Sequence, residues 1–154
     1  METADNPVIV IRYMESEDVW QVADIEKKCF SEPWSEKAFN DTLSDDNYMY
    51  IAAASGKRVV GYAGCVMSPP EADITNIAVE SEYRRMGIGE MLMEQLAKKL
   101  SERNIETVFL EVRQSNEAAK ELYRKQGFEY IGVRKNFYRK PDENGILMAK
   151  KLQQ

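Results

Sequence analysis

The sequence contains no histidine and only two cysteines, Cys29 and Cys65. Their wide separation excludes the short paired spacings of zinc sites, and the lack of histidine excludes every histidine-based triad. Both thiols read as core packing. No apolar run approaches the ~20 residues that a membrane-spanning helix needs. The segment Met1 to Pro7 is acidic and polar, without the basic start and apolar stretch of a secretion signal. It reads as a polar tail ahead of one domain over residues 8–154, and a cytoplasmic location is the default. Positive charge is also scarce: 21 Lys and Arg against 26 Asp and Glu leave a net charge of −5. That balance argues against non-specific nucleic-acid binding and suits a basic peptide partner.

What is present is a chain of 154 residues with 44% apolar content, enough for one sizeable core. Val8 to Tyr13 is β-branched and predicts a strand. Ser16 opens a helix with Val19, Ala23, Ile25 and Cys29 near helical spacing, broken by Phe30-Ser31-Glu32-Pro33-Trp34-Ser35. Ser35 can cap a second, short helix reaching about Leu43. Tyr48 to Ala54 and Val59 to Met67 predict a hairpin turned at Ser55-Gly56-Lys57-Arg58. Asp73 to Val79 is the next strand. Gly87 to about Glu102 is a helix with Ile88, Met91, Leu92, Leu96 and Leu100 on one face. Ile105 to Val112 is a buried strand, and Ser115 to Gln126 a helix stopped by Gly127. Phe128 to Val133 and Ile146 to Lys150 supply two more strands. The alternation defines a mixed α/β domain, about seven strands with about four helices.

Two segments carry chemistry. In the first, a strand ending at Val79 runs through Arg84-Arg85-Met86-Gly87-Ile88-Gly89 into a helix. The first amides of a helix lack internal partners and carry partial positive charge, so they bind phosphate oxygens. Glycine lets a bulky anion approach the backbone, and the arginines add charge. The bland alternative is an Arg-rich surface turn. A Walker loop would need a Lys after the glycines, and a dinucleotide fingerprint would need a third Gly where Leu92 stands.

In the second, Leu110-Glu111-Val112-Arg113 sets a carboxylate inside an apolar strand, where Glu is seldom found unless paired or used. Glu111 could instead point outward or pair with Arg113 on the same strand face. Tyr123, at the end of the next helix, is either a core aromatic or a proton donor.

Taken together, Asn76-Ile77-Ala78-Val79, Tyr83 to Gly89, Leu110 to Arg113, Ser115-Asn116, Ala119, Leu122-Tyr123 and Gly127-Phe128 resemble a GCN5-related N-acetyltransferase. More narrowly, with Phe30 to Ser35 and Asn136-Phe137-Tyr138, the chain resembles the RimI-type N-terminal alanine acetyltransferases of bacteria. The resemblance implies that the backbone of Ile77, Ala78 and Val79 pairs with the pantetheine arm of acetyl-coenzyme A. It implies that Arg84, Arg85, Met86, Gly87, Ile88, Gly89 and Glu90 hold the pyrophosphate, and that Asn116 contacts coenzyme A. Glu111 would be the proton acceptor and Tyr123 the proton donor, with no metal. The implied acceptor is the N-terminal alanine of a basic ribosomal protein, small-subunit protein eighteen. Trp34 and Tyr138, aromatics in turn-rich surroundings, are candidates for acceptor contact, although Trp34 could equally plug the core. Three positions depart from the family pattern: Ser81 replaces a frequent proline, Glu90 puts an acid in the phosphate turn, and Glu143-Asn144-Gly145 replaces an acidic pair and alanine. Acetylation of a small amine on the same fold and a non-catalytic acyl-coenzyme A sensor remain as other readings.

Overall fold

The computed structural model describes residues 8–152; the polar tail assigned to residues 1–7 lies outside the described residues. Strand β1 (Val10–Tyr13) and a 3-10 turn (Ser16–Asp18) lead into α1 (Val19–Cys29) and α2 (Glu36–Leu43). The meander β2 (Tyr48–Ser55), β3 (Arg58–Ser68) and β4 (Glu71–Val79) comes next, then α3 (Ile88–Glu102), β5 (Thr107–Arg113), α4 (Glu117–Lys125), β6 (Glu129–Tyr138) and β7 (Glu143–Lys151). All seven strands join one sheet in the order β1-β2-β3-β4-β5-β7-β6. The predicted elements are all found, with ends displaced by a few residues.

Two cores flank the sheet, and β2 shows why. Met49, Ile51 and Ala53 face the side covered by α3, with Ile88, Leu92, Leu96 and Leu100. Tyr50 and Ala52 face the side covered by α1 and α2, with Val22, Ile25 and Phe39. A strand with period-two side chains that is apolar throughout must be covered on both faces. Ser35 caps α2 as expected: its hydroxyl accepts the Ala38 amide at 3.1 Å.

Two irregularities prepare the site. Strands β4 and β5 are parallel but pair only over Glu71–Asp73 and Thr107–Phe109, so the sheet splays open beyond them. On the other side of β4, Gly64 pairs with Asn76 and Cys65 with Ile74, which leaves Thr75 as an extra, bulged residue. A bulge bends a strand and re-aims the residues beyond it, here Asn76 to Val79.

Candidate active site

The turn before α3 is the candidate anion site. Arg85 (φ 66) and Gly87 (φ 79) both adopt left-handed backbone, the conformation from which anion-binding nests of amides are made. Gly87 is the N-cap of α3 and supplies no side-chain cap, although Gly87 O accepts the Met91 amide at 3.0 Å. The amides of Ile88, Gly89 and Glu90 therefore keep their donor capacity at the positive end of a 15-residue helix. Ile88 is buried in the core, so only its amide can serve a ligand. Arg84 donates from Nε to Val79 O at 3.2 Å, which ties the turn to the end of β4. Arg84, Arg85, Met86 and Glu90 are exposed.

The two glycines have different reasons to be there. A Cβ on Gly87 would meet nothing within 4 Å, and its requirement is conformational. A Cβ on Gly89 would stand 3.2 Å from Leu122 Cδ2 of α4. Gly89 thus permits close packing of α3 on α4, a role that the loop argument from sequence did not foresee.

Ile77, Ala78 and Val79 lie on β4 past the point where it parts from β5, on one wall of the splay. Asn116 is the N-cap of α4, its Oδ1 accepting the Ala119 amide at 3.1 Å. Its Nδ2 donors are left to face a ligand.

Glu111 sits on β5, the opposite wall. Its side chain is only 18% exposed, and Oε1 faces Arg134 Nη2 of β6 at 3.4 Å. The other oxygen, Oε2, is buried with no hydrogen-bond partner. Burial raises the carboxyl pKa, and the Arg134 charge opposes that rise. The pairing with Arg113 considered from sequence does not form. The Arg113 guanidinium instead pairs with Glu143 Oε1 (3.2 Å), donates to Arg139 O (2.6 Å), Pro141 O (2.9 Å) and Ser31 Oγ (3.2 Å), and lies 4.7 Å from the Tyr138 ring centre.

The residues around Glu111 come from the end of the chain. Register shifts in β6 let residues 135–137 bulge between the pairs Arg134–Gly145 and Tyr138–Glu143. The Phe137 and Tyr138 rings pack edge to face at 5.0 Å. A Cβ on Gly145 would lie 3.1 Å from Glu111 Oε2 and 3.3 Å from Phe137 Cβ. The glycine at this departure from the family pattern therefore makes room for the carboxylate. Tyr138 is half-buried; burial, then the Glu111 charge, pushes its hydroxyl pKa up to about 12. Tyr123 is buried against Phe128 at 5.9 Å, and burial, with Tyr138 adding, raises its pKa.

Trp34 is half-buried. Its ring leans on Phe39 (5.4 Å) and Tyr50 (6.2 Å), in the core beneath α1 and α2. Its backbone amide leads to a cluster that sequence reasoning missed. Glu26 of α1, only 2% exposed, accepts that amide on Oε2 at 3.0 Å. The Tyr62 hydroxyl donates to Glu26 Oε1, and Asn76 Nδ2 reaches both oxygens at 3.2 and 3.3 Å. Tyr50 donates to Asn76 Oδ1 at 2.6 Å and lies 2.8 Å from Thr75 Oγ1. With the Tyr50 proton committed to Asn76, Thr75 is the donor to Tyr50.

A splayed parallel pair, a helix start without a side-chain cap and a half-buried carboxylate with an unpartnered oxygen make up the candidate site. The family model described as acetyltransferase (GNAT) family matches residues 19–128, and the chain belongs to that family. It is an acetyltransferase. It is 35% identical over 141 residues to the [ribosomal protein bS18]-alanine N-acetyltransferase of Escherichia coli (strain K12), covering 90% of this chain and 95% of that one. It is 33% identical over 143 residues to the protein of the same name from Haemophilus influenzae, covering 91% and 97%. The solved structure of the ribosomal-protein-S18-alanine N-acetyltransferase from Escherichia coli superposes with a TM-score of 0.87 at 32% identity, over 96% of both chains.

Proposed function

We propose that this protein, one catalytic domain over residues 8–154, transfers acetyl from acetyl-coenzyme A to the N-terminal α-amine of a protein beginning with alanine. The acceptor of its named relatives, ribosomal protein bS18, is the first candidate. The observation that carries this reading is Glu111 Oε2, a buried acceptor with no partner on a wall of the splay. Buried polar atoms are almost always satisfied, and an orphan in a cleft is most simply explained by a donor that arrives with the substrate.

The donor half fits the residues present. The β4 backbone at Ile77, Ala78 and Val79, free of β5 beyond Asp73, can pair with the pantetheine amides as an added strand would. The amides at the start of α3, with Arg84 and Arg85, would hold the pyrophosphate. When bound, acetyl-coenzyme A supplies an activated acyl group and a thiolate that must be protonated.

Glu111 takes the proton from the acceptor ammonium. An α-amino group ionises near 7.7–8.0 and lysine near 10.4, so the α-amine costs about 3.5 kcal/mol less to deprotonate. A carboxyl raised by burial is a stronger base than an exposed one, which suits this modest task. Tyr123 holds a proton at the donor end, and burial keeps it protonated across any working pH. Tyr138 and the Phe30–Ser35 loop border the acceptor end.

Acidic residues dominate around α2, where Glu32, Glu36, Asp41, Asp45 and Asp46 outnumber Lys37, whereas the β6–β7 turn region mixes Arg134, Lys135, Arg139 and Lys140 with Asp142 and Glu143. A basic acceptor protein would extend over the acidic α2 side. No described helix is long and apolar enough to cross a membrane, and a ribosomal acceptor would place the reaction in the cytoplasm. Incubation with acetyl-coenzyme A and an alanine-starting peptide should give one acetyl group, located on the α-amine by fragment mass spectrometry. Acetyl found only on lysine side chains would refute the assignment.

A further inference from the structure

A buried carboxylate without a cation is expensive, and apolar packing usually replaces it at no loss of stability. Glu26 is such a group. Among the described residues its partners are the Tyr62 hydroxyl, the Asn76 side-chain amide and the Trp34 backbone amide, all neutral. These three come from different places. Tyr62 is on β3, Asn76 is the residue after the β4 bulge, and Trp34 belongs to the loop between α1 and α2. The cluster continues through Tyr50 to Thr75, so both residues at the bulge are held. The Tyr50 ring occupies space that only a glycine at position 64 leaves open, since a Cβ there would lie 2.0 Å from Tyr50 Cε1. The cluster is thus fixed by packing as well as by hydrogen bonds.

Resting on the function proposed above, in which β4 holds the acetyl donor and the Phe30–Ser35 loop borders the acceptor, we propose that Glu26 is a positioning residue. Its two oxygens hold the acceptor loop and the donor strand in one fixed relation. Oε2 accepts the Trp34 amide while both oxygens share the Asn76 amide. The charge matters because a full carboxylate can serve three donors at once, whereas a neutral amide must turn an NH2 group toward one of them. The bond to Trp34 is the one exposed to that conflict, because Tyr62 and Asn76 both reach Oε1.

The test compares Glu26→Gln with Asp18→Asn. Asp18 is equally buried on the same stretch of chain, bonded to Arg12 at 2.6 and 2.9 Å, but eight residues, ~12 Å of helix, from Glu26. It therefore controls for loss of a buried carboxylate. Wild-type turnover of an alanine-starting peptide checks the underlying function first. With that in hand, Glu26→Gln should raise the peptide KM about tenfold or more, the value of a hydrogen bond to a charged group. Its acetyl-coenzyme A affinity should stay within about threefold, because Asn76 keeps Tyr50. Asp18→Asn should lose thermal stability with no rise in peptide KM. If Glu26→Gln does not fold, wild-type hydrogen exchange decides: acetyl-coenzyme A should slow exchange of the Trp34 amide. A peptide KM unchanged in folded Glu26→Gln, or Trp34 exchange indifferent to acetyl-coenzyme A, would overturn the proposal.

Discussion

Glu111→Gln should make the protein nearly inactive and, at neutral pH, more stable. The variant keeps the shape of the side chain and cannot accept a proton, so turnover should fall by about 10²–10⁴-fold. That loss should shrink as pH rises past the ionisation of the acceptor amine, which then arrives neutral. The stability effect has the opposite sign. Oε2 is buried without a partner, at a cost of about 1–3 kcal/mol. The compensating ion pair to Arg134 is long, and Arg134 is 58% exposed, so it returns less than about 1 kcal/mol. Glutamine keeps an unpartnered polar atom there and removes only the charge, so the gain should be about 1 kcal/mol, or a rise in Tm of about 2–4 °C for a domain of this size. Burial raises the folded pKa of Glu111 above its unfolded value. The wild type thus carries full stability from this group below the unfolded pKa and loses it as pH rises through the folded one. Urea unfolding of both proteins from about pH 4 to 8 should show the variant's advantage absent at the acid end and growing upward. An advantage that shrinks with rising pH, or full activity in the variant at pH 7, would refute the reasoning.

Tyr123→Phe should lower turnover by about 10²–10⁴-fold, and this loss should not shrink at high pH, since burial keeps the hydroxyl protonated. Gly87→Val forces a branched residue to φ 79, and should weaken acetyl-coenzyme A binding about tenfold by calorimetry; Gly89→Ala should instead act through Leu122 and lower Tm. Gly145→Ala brings a methyl group to 3.1 Å from Glu111 Oε2, which desolvates the carboxyl further, so the ascending limb of the kcat pH profile should move to higher pH. Tyr138→Ala should raise the peptide KM and leave acetyl-coenzyme A affinity unchanged.

Most elements were legible because both periodicities are strong here. The α3 face from Ile88 to Leu100 and the apolar β2–β3 pair leave little choice of structure. The end of β6 was not legible. Expected to stop at Val133, the strand continues to Tyr138, because Arg134 to Asn136 is a polar, bulged run without alternation. The candidate donor site was legible as a motif, but the reason for Gly89 was not, since it depends on a residue 33 positions away, Leu122. Sequence left Trp34 open between core packing and acceptor contact; its ring leans on Phe39 and Tyr50 from two different elements, a contact that no local pattern announces. Glu26 gave no signal at all. In Ile25-Glu26-Lys27-Lys28 it reads as a solvated helix position, and only tyrosine and asparagine side chains 36 and 50 residues on make it a buried hub. Period-two reasoning placed Glu111 and Arg113 on one strand face, yet the Glu143 carboxylate and the turn carbonyls at Arg139 and Pro141 take the guanidinium together.

The central claim is acetyl transfer to an alanine α-amine, and competition between acceptors tests it most directly. Steady-state kcat/KM with acetyl-coenzyme A should be measured for three acceptors: a free alanine-starting peptide, the same peptide with a blocked N-terminus and an internal lysine, and a polyamine. The account predicts that the free peptide is preferred by at least about 10²-fold, consistent with the lower deprotonation cost of an α-amine. Equal or faster turnover of the polyamine or the blocked peptide would contradict it.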